Sequence, residues 1–166
     1  PNLAHDAEEL VFRRDNPNLP MLIGTAQVFP LRLDNENTLL HWNIRDVTAI
    51  REAEFENKIS AMVFRHAIEG VMITDADGKI IAVNPAFSRI TGYEASEVLG
   101  RKPSILKSGV QDESFYVRLW GDLADTGFWQ GEIYNRRRSG EVYPEWLTIS
   151  SVRDAAGQAM SYIAVF

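Results

Sequence analysis

The chain has 166 residues, 45% of them hydrophobic and 24% charged, with a formal net charge of −6. That length holds one domain, or one domain and part of another, and can bury a core without covalent staples. With no cysteine there is no disulfide, thiolate metal site or cysteine nucleophile. Three dispersed histidines (His5, His41, His66) make no metal cluster, and the negative balance argues against a nucleic-acid surface.

Residues 1–9 are polar and acidic and read as a frayed start. LVFRR, Ile23–Leu33 and Leu39–Ile44 then read as strands, separated by the turn-rich DNPNLP and DNENT. Three strands with no helix to cover them make a poor isolated unit, so they read as the closing strands of a module that starts upstream. The end of the chain repeats the pattern with IYNRRR, Glu141–Arg153 and Gln158–Phe166. A shift of 120 lays Asp34 on Asp154, Leu40 on Met160 and Trp42 on Tyr162.

Asp46–Ala67 lacks proline and glycine and reads as one helix, capped by Asp46 or Thr48. Val47, Ile50, Glu54, Asn57, Ala61, Phe64 and Ile68 fall at alternating steps of three and four, the spacing of a paired-helix seam, which Glu54 and Asn57 interrupt. A solvated connecting helix and a parallel dimer helix both fit.

Gly70–Tyr93 reads as two strands and a short helix. Val71–Ile73 and Ile80–Val83 are joined by a turn at Asp75–Gly78, where the aspartates can bond nearby backbone and Gly78 accepts positive φ. Asn84 and Pro85 start the helix as cap and first residue, and Gly92 ends it. Glu94–Val98 makes about one helical turn, and RKPSILKSG is irregular or briefly helical. Gln111–Ala124 carries Phe115, Leu119 and Leu123 at four-residue intervals and reads as the one long internal helix, stopped by Asp125–Gly127. From Phe128 onward the chain is antiparallel sheet. Strands bent round short helices leave room for a cavity, which a ligand or large side chains would fill.

Alternation sets Trp129, Gly131, Ile133 and Asn135 on one face of their strand, against Gln130, Glu132 and Tyr134. In the next strand Pro144, Trp146 and Thr148 oppose Glu145 and Leu147, and neither strand is oriented by sequence. Trp129 with Asn135 could stack on and bond a planar ring, or simply pack. Asn84 is a helix cap or a ligand contact. Glu145 bonds a loop amide or Arg136, and has no second carboxylate to pair with for acid–base catalysis. Arg136, Arg137 and Arg138 read as a solvated hairpin end.

The D-x-x-G hairpin, NPAF, TGY, FWQGEI, NRR-x-x-G and YPE follow one another in the order of the PAS family, which the later part of the chain strongly resembles. The resemblance implies an α+β fold: a five-stranded antiparallel PAS-like sheet with short helices over one face, plus an upstream three-strand remnant and a connecting helix. The implied domains are 1–45, the closing strands of a preceding PAS-like domain; 46–67, an interdomain signalling helix; and 68–166, a PAS domain. DVTAIREAE resembles the family's interdomain helix, whose opening Asp–x–Thr usually ties to its own core.

The implied function is a non-catalytic cytosolic sensory or relay module regulating an output domain not in this chain. PAS domains of this style are frequent in bacterial cyclic-di-GMP synthases and phosphodiesterases and in histidine kinases. The alternative is a ligand-free structural dimerisation module. An enzyme would need a poised acid–base or nucleophilic group that the sequence does not display. Light-oxygen-voltage flavin sensors place a cysteine after the GR motif, where GRKPSILKSG has Pro103, and haem-binding members use a histidine on the longer helix, which Gln111–Ala124 lacks. Both chemistries are therefore disfavoured, and FAD stays open, with Asn84, Trp129, Asn135, Glu145 and Trp146 as candidate contacts. Expected partners are a second copy, through the 46–67 helix and the PAS surface, and a C-terminal output domain. Neither nucleic acid nor membrane is expected, since no run nears the roughly 18 apolar residues of a span and no signal peptide is visible.

Overall fold

The computed structural model describes residues 9–13, 23–32 and 38–166. The frayed start, the DNPNLP turn and Asp34 of the internal repeat lie outside the described residues, as do the side chains of Leu40 and Trp42. The chain divides into two units, Pro1–Ser60 and Ala61–Phe166, with the cut inside the expected connecting helix.

In the first unit, β1 (Glu9–Arg13), β2 (Ile23–Arg32) and β3 (Thr38–Asp46) form an antiparallel sheet in the order β1-β2-β3. Ala26 of β2, opposite Leu10 on one side and Ile44 on the other, is buried. Helix α1 (Thr48–His66) starts two residues later than expected because Asp46 still closes the ladder opposite Gly24. The start is tied down locally. Asp46 Oδ1 accepts from Thr48 N (2.9 Å) and Thr48 Oγ1 (2.7 Å), Thr48 Oγ1 accepts from Ile23 N (2.8 Å), and Val47 N donates to Ile23 O (2.9 Å). These bonds satisfy amides that a helix end leaves open. None of α1 is buried.

The second unit runs β4 (Val71–Asp75), β5 (Ile80–Val83), α2 (Pro85–Thr91), α3 (Ala95–Val98), a 3-10 turn at Pro103–Leu106, α4 (Glu113–Thr126), β6 (Phe128–Arg136), β7 (Val142–Arg153) and β8 (Ala159–Val165). Its antiparallel sheet has the order β5-β4-β8-β7-β6, so the last strand lies at the centre beside β4. The helices cover one face, giving the α+β architecture expected. Phe87, Val98, Leu106, Leu119 and Leu123 pack on Met72, Ile80, Ile133, Leu147, Ile149 and Ala164 of the sheet. Each of these side chains except that of Ala164 contributes ~1.5–3 kcal/mol by leaving water. Phe87 meets Phe166 edge-on at 5.9 Å, where β8 ends.

Helix α4 is displaced two residues from its expected span. Asp112 is the cap, accepting from Phe115 N at 2.9 Å, and Gly127 closes the other end in the left-handed region with φ 77°. Arg153 of β7 reaches that C-terminus and donates to the carbonyls of Ala124 (2.6 Å) and Leu123 (3.2 Å).

Candidate functional site

The inner face of the second sheet, α4 and the 3-10 turn enclose a cavity of about 350 Å3. Its apolar wall includes Leu119, Ile133, Leu147 and Ile149, and Tyr116, Trp120, Tyr162 and Phe166 add aromatic surface. Asp77, Lys102 and Lys107 line it and are themselves exposed, so they mark its open end. The Lys107 ammonium sits 3.7 Å from the centre of the Tyr116 ring.

Asn135 and Glu145 supply polar groups to this wall. Tight pairing of β6 with β7 sets Asn135 opposite Tyr143 and Ile133 opposite Glu145, so the two polar residues are diagonal neighbours on the inner face. Asn135 Nδ2 donates to Glu145 Oε1 at 2.7 Å. Glu145 Oε2 is buried with no hydrogen-bond partner. Burial raises the Glu145 pKa above 4.5, against the lowering influence of the Tyr143 hydroxyl, the Asn135 amide and Arg137. The Tyr143 hydroxyl feels the Glu145 charge but lies outside good hydrogen-bond geometry and is likewise unpartnered. Burial first, and then Glu145, hold Tyr143 protonated, while the Arg137 guanidinium stacks 4.0 Å from its ring centre.

Three other candidate residues stand elsewhere. Asn84, 1% exposed, caps α2: its Oδ1 accepts from Phe87 N and Val71 N, each at 2.9 Å, and its Nδ2 donates to Glu69 O at 2.9 Å. All of its described bonds are thus to backbone, and it does not line the cavity. Trp129 shares the Asn135 face but packs edge-on against Phe115 at 5.9 Å and lies over Gly131, where an added Cβ would come within 3.0 Å of its ring. Trp146 is on the outer face, 62% exposed, because it alternates with Glu145 and Leu147.

Sequence reasoning set Trp120 only alongside the helix stripe and assigned neither it nor Tyr116 to the cavity. They lie one residue beyond the Phe115 and Leu119 stripe at the same four-residue step, and that spacing was the available signal. The arginine run is more engaged than a solvated hairpin end. Arg136 donates to Gly140 O (3.1 Å) and to Ser108 O, Arg137 pairs with Glu141 (3.2 Å), and Arg138 pairs with Glu97 (2.9 Å). Among the described residues no group of His, Asp and Glu could hold a metal ion, and no helix is long and apolar enough to cross a membrane.

A nitrogen fixation regulatory protein of Klebsiella oxytoca is 34% identical over 95 residues, which cover 57% of this chain and 19% of that protein. A blue-light-activated histidine kinase of Brucella ovis is 32% identical over 108 residues, covering 61% of this chain and 22% of that protein. The chain therefore spans about a fifth of the length of these curated relatives. Among solved structures, the PAS domain of a protein from Colwellia psychrerythraea superposes with a TM-score of 0.62 at 19% identity, over 66% of this chain and 93% of that one. An RNA-binding light-oxygen-voltage receptor superposes at 0.63 and 24% identity, over 83% of this chain and 37% of that one. At these identities the likeness is one of fold. The PAS domain family model matches residues 68–166, a span that starts just ahead of β4 and takes in α2 to α4 and every strand of the second sheet; the chain belongs to the PAS domain family.

Proposed function

We propose that the second unit senses through its inner cavity, that the cavity takes the ring of a flavin, with FAD as the candidate cofactor, and that Asn135 and Glu145 meet the ring edge. The observation that carries this reading is an aromatic-walled cavity of about 350 Å3 among whose lining residues is a glutamate with one buried carboxylate oxygen unsatisfied. A ligand-free dimerisation module with a filled core would have no use for such a group, because a buried acceptor without a partner costs about 1–3 kcal/mol. The volume lies near the lower end of small-molecule sites, so it suits a ring system rather than a whole dinucleotide. Tyr116, Trp120 and Tyr162 offer ring contacts, and Lys102 and Lys107 bring positive charge to the open end, where a phosphate would be favoured. When bound, a flavin would supply redox chemistry and blue absorption. With no cysteine in the chain, a cysteinyl adduct is not available.

The relatives named above are a regulatory protein and a histidine kinase, and this chain matches a minor part of each. By that analogy it acts as an input module, in the cytoplasm, on an output domain of a longer protein. A visible spectrum of freshly purified protein, followed by addition of FAD and riboflavin to the unliganded form, tests the cofactor. Blue absorption or uptake is expected. A colourless protein that takes up neither would overturn the flavin reading.

A second copy is the partner best suited to α1. Phe55, Ile59 and Met62, at steps of four and three, are 64%, 45% and 61% exposed. They form a more apolar stripe than the seam interrupted by Glu54 and Asn57, and an identical helix can pair with it in register.

A further inference from the structure

We propose that the cleft between the end of α2 and the β6–β7 hairpin binds a phosphomonoester dianion through Arg89, Arg137 and Arg138. These three arginines line it together with Gly92, Ser139 and Glu141. None of the three arginines lines the inner cavity, so the site is separate from it. Three guanidinium groups against one lining carboxylate give the cleft a positive balance in a chain whose net charge is −6. Anions are thus drawn to this spot against the repulsion of the chain as a whole.

Arg89 is exposed on the last turn of α2, and its guanidinium has no hydrogen-bond or ion-pair partner among the described residues. Arg137 is held in place: it stacks 4.0 Å from the Tyr143 ring centre, and its Nε donates to Glu141 at 3.2 Å. Arg138 reaches Glu97 of α3 at 2.9 Å. Both ion pairs are partly exposed, a class worth little in water, and each carboxylate brings a single negative charge. A phosphomonoester brings about two charges and three strong acceptor oxygens, which take forked bonds from neighbouring guanidinium groups, so it displaces the carboxylates. Ser139 adds a hydroxyl: its Oγ accepts from Glu141 N at 3.5 Å, which leaves its hydrogen for the anion. The carbonyls at the end of α2 are already engaged, Ser88 O by Gly92 N and Thr91 O by Arg138 N, each at 2.9 Å.

Titration of the ligand itself sets the pH dependence. The charged groups that face it are Arg89 on α2, Glu97 on α3, and Arg137, Arg138 and Glu141 on the hairpin, with no histidine among them. A phosphomonoester loses its second proton near about pH 6, so binding strengthens from about pH 5 to about pH 7. Sulfate is a dianion throughout that range and binds without the rise.

The test follows the NMR amide shifts of Gly92, Ser139 and Gly140 in the full chain at low salt. The probes are AMP, a short peptide carrying one phosphoserine, and sodium sulfate. Saturable shifts at these amides are expected with a phosphate probe, and the tighter of the two names the source, a free nucleotide or a modified partner. Arg89→Ala and Arg138→Gln should each weaken binding roughly tenfold. Arg118→Ala, at an exposed position of α4, should leave it unchanged. Glu141→Gln should strengthen it severalfold by removing a competing carboxylate. Absence of saturation with both phosphate probes overturns the proposal. So does equal weakening by Arg118→Ala, or an affinity for the phosphate probes that stays flat between about pH 5 and about pH 7.

Discussion

Asn135 and Glu145 meet diagonally across the β6–β7 ladder, the amide of one donating to the carboxylate of the other at 2.7 Å, while the second carboxylate oxygen stays buried and unpaired. A half-satisfied acid in a sheet interior is costly to stability.

That cost is readable as a pH dependence. The folded Glu145 binds its proton more strongly than the unfolded chain does, so the native state holds more protons in the window that opens at about 4.5 and runs up to the raised value. Stability from this group is therefore present at low pH and declines as pH rises through that window. Urea unfolding of the unliganded chain over a pH series should show the decline, and Glu145→Gln should flatten it. A native chain whose stability relative to Glu145→Gln rises with pH through that window would contradict the assignment.

Asn84 is expected to be among the most sensitive polar positions in the second unit. Asn84→Ala removes the α2 cap together with the bonds to Val71 N and Glu69 O, and should cost about 2–4 kcal/mol in urea unfolding. Asn84→Asp keeps both amide acceptor contacts but sets a carboxylate oxygen against the Glu69 carbonyl in a buried site, so it should also destabilise, and more at neutral than at acid pH.

Arg153 closes the C-terminus of α4 from a neighbouring strand. Arg153→Ala strips the carbonyls of Leu123 and Ala124 of this donor, and about 1–2 kcal/mol of stability should go with it. Hydrogen exchange should show the loss as faster exchange in the last turn of α4, with α2 little changed.

Pairing of α1 with a second copy predicts a concentration-dependent mass in sedimentation. Phe55→Asp combined with Met62→Asp should yield monomer at concentrations where the native chain is dimeric, with the fold of the second unit unchanged by circular dichroism. A native chain that stays monomeric at high micromolar concentration would rule the pairing out.

Local chemistry made much of this protein legible from its residues. Asn84 and Pro85, with Gly92 after them, specify α2 within a few positions. The Asp75–Gly78 turn specifies the β4–β5 hairpin, and strand alternation assigns Asn135 to the face of Trp129, and Glu145 to the face opposite Trp146. These outcomes depend on neighbours close in the chain, whose hydrogen bonds and side-chain directions follow from spacing alone. Tertiary structure decided which face looks inward. It placed Glu145 against the cavity and Trp146 in solvent, turned Trp129 towards Phe115 of α4, and brought Arg153 to a helix end about 30 residues earlier in the chain. Those choices depend on where β6 and β7 meet the helices, a long-range packing outcome that period-two alternation leaves degenerate, since either face of a strand can be buried until the layer that covers it is in place.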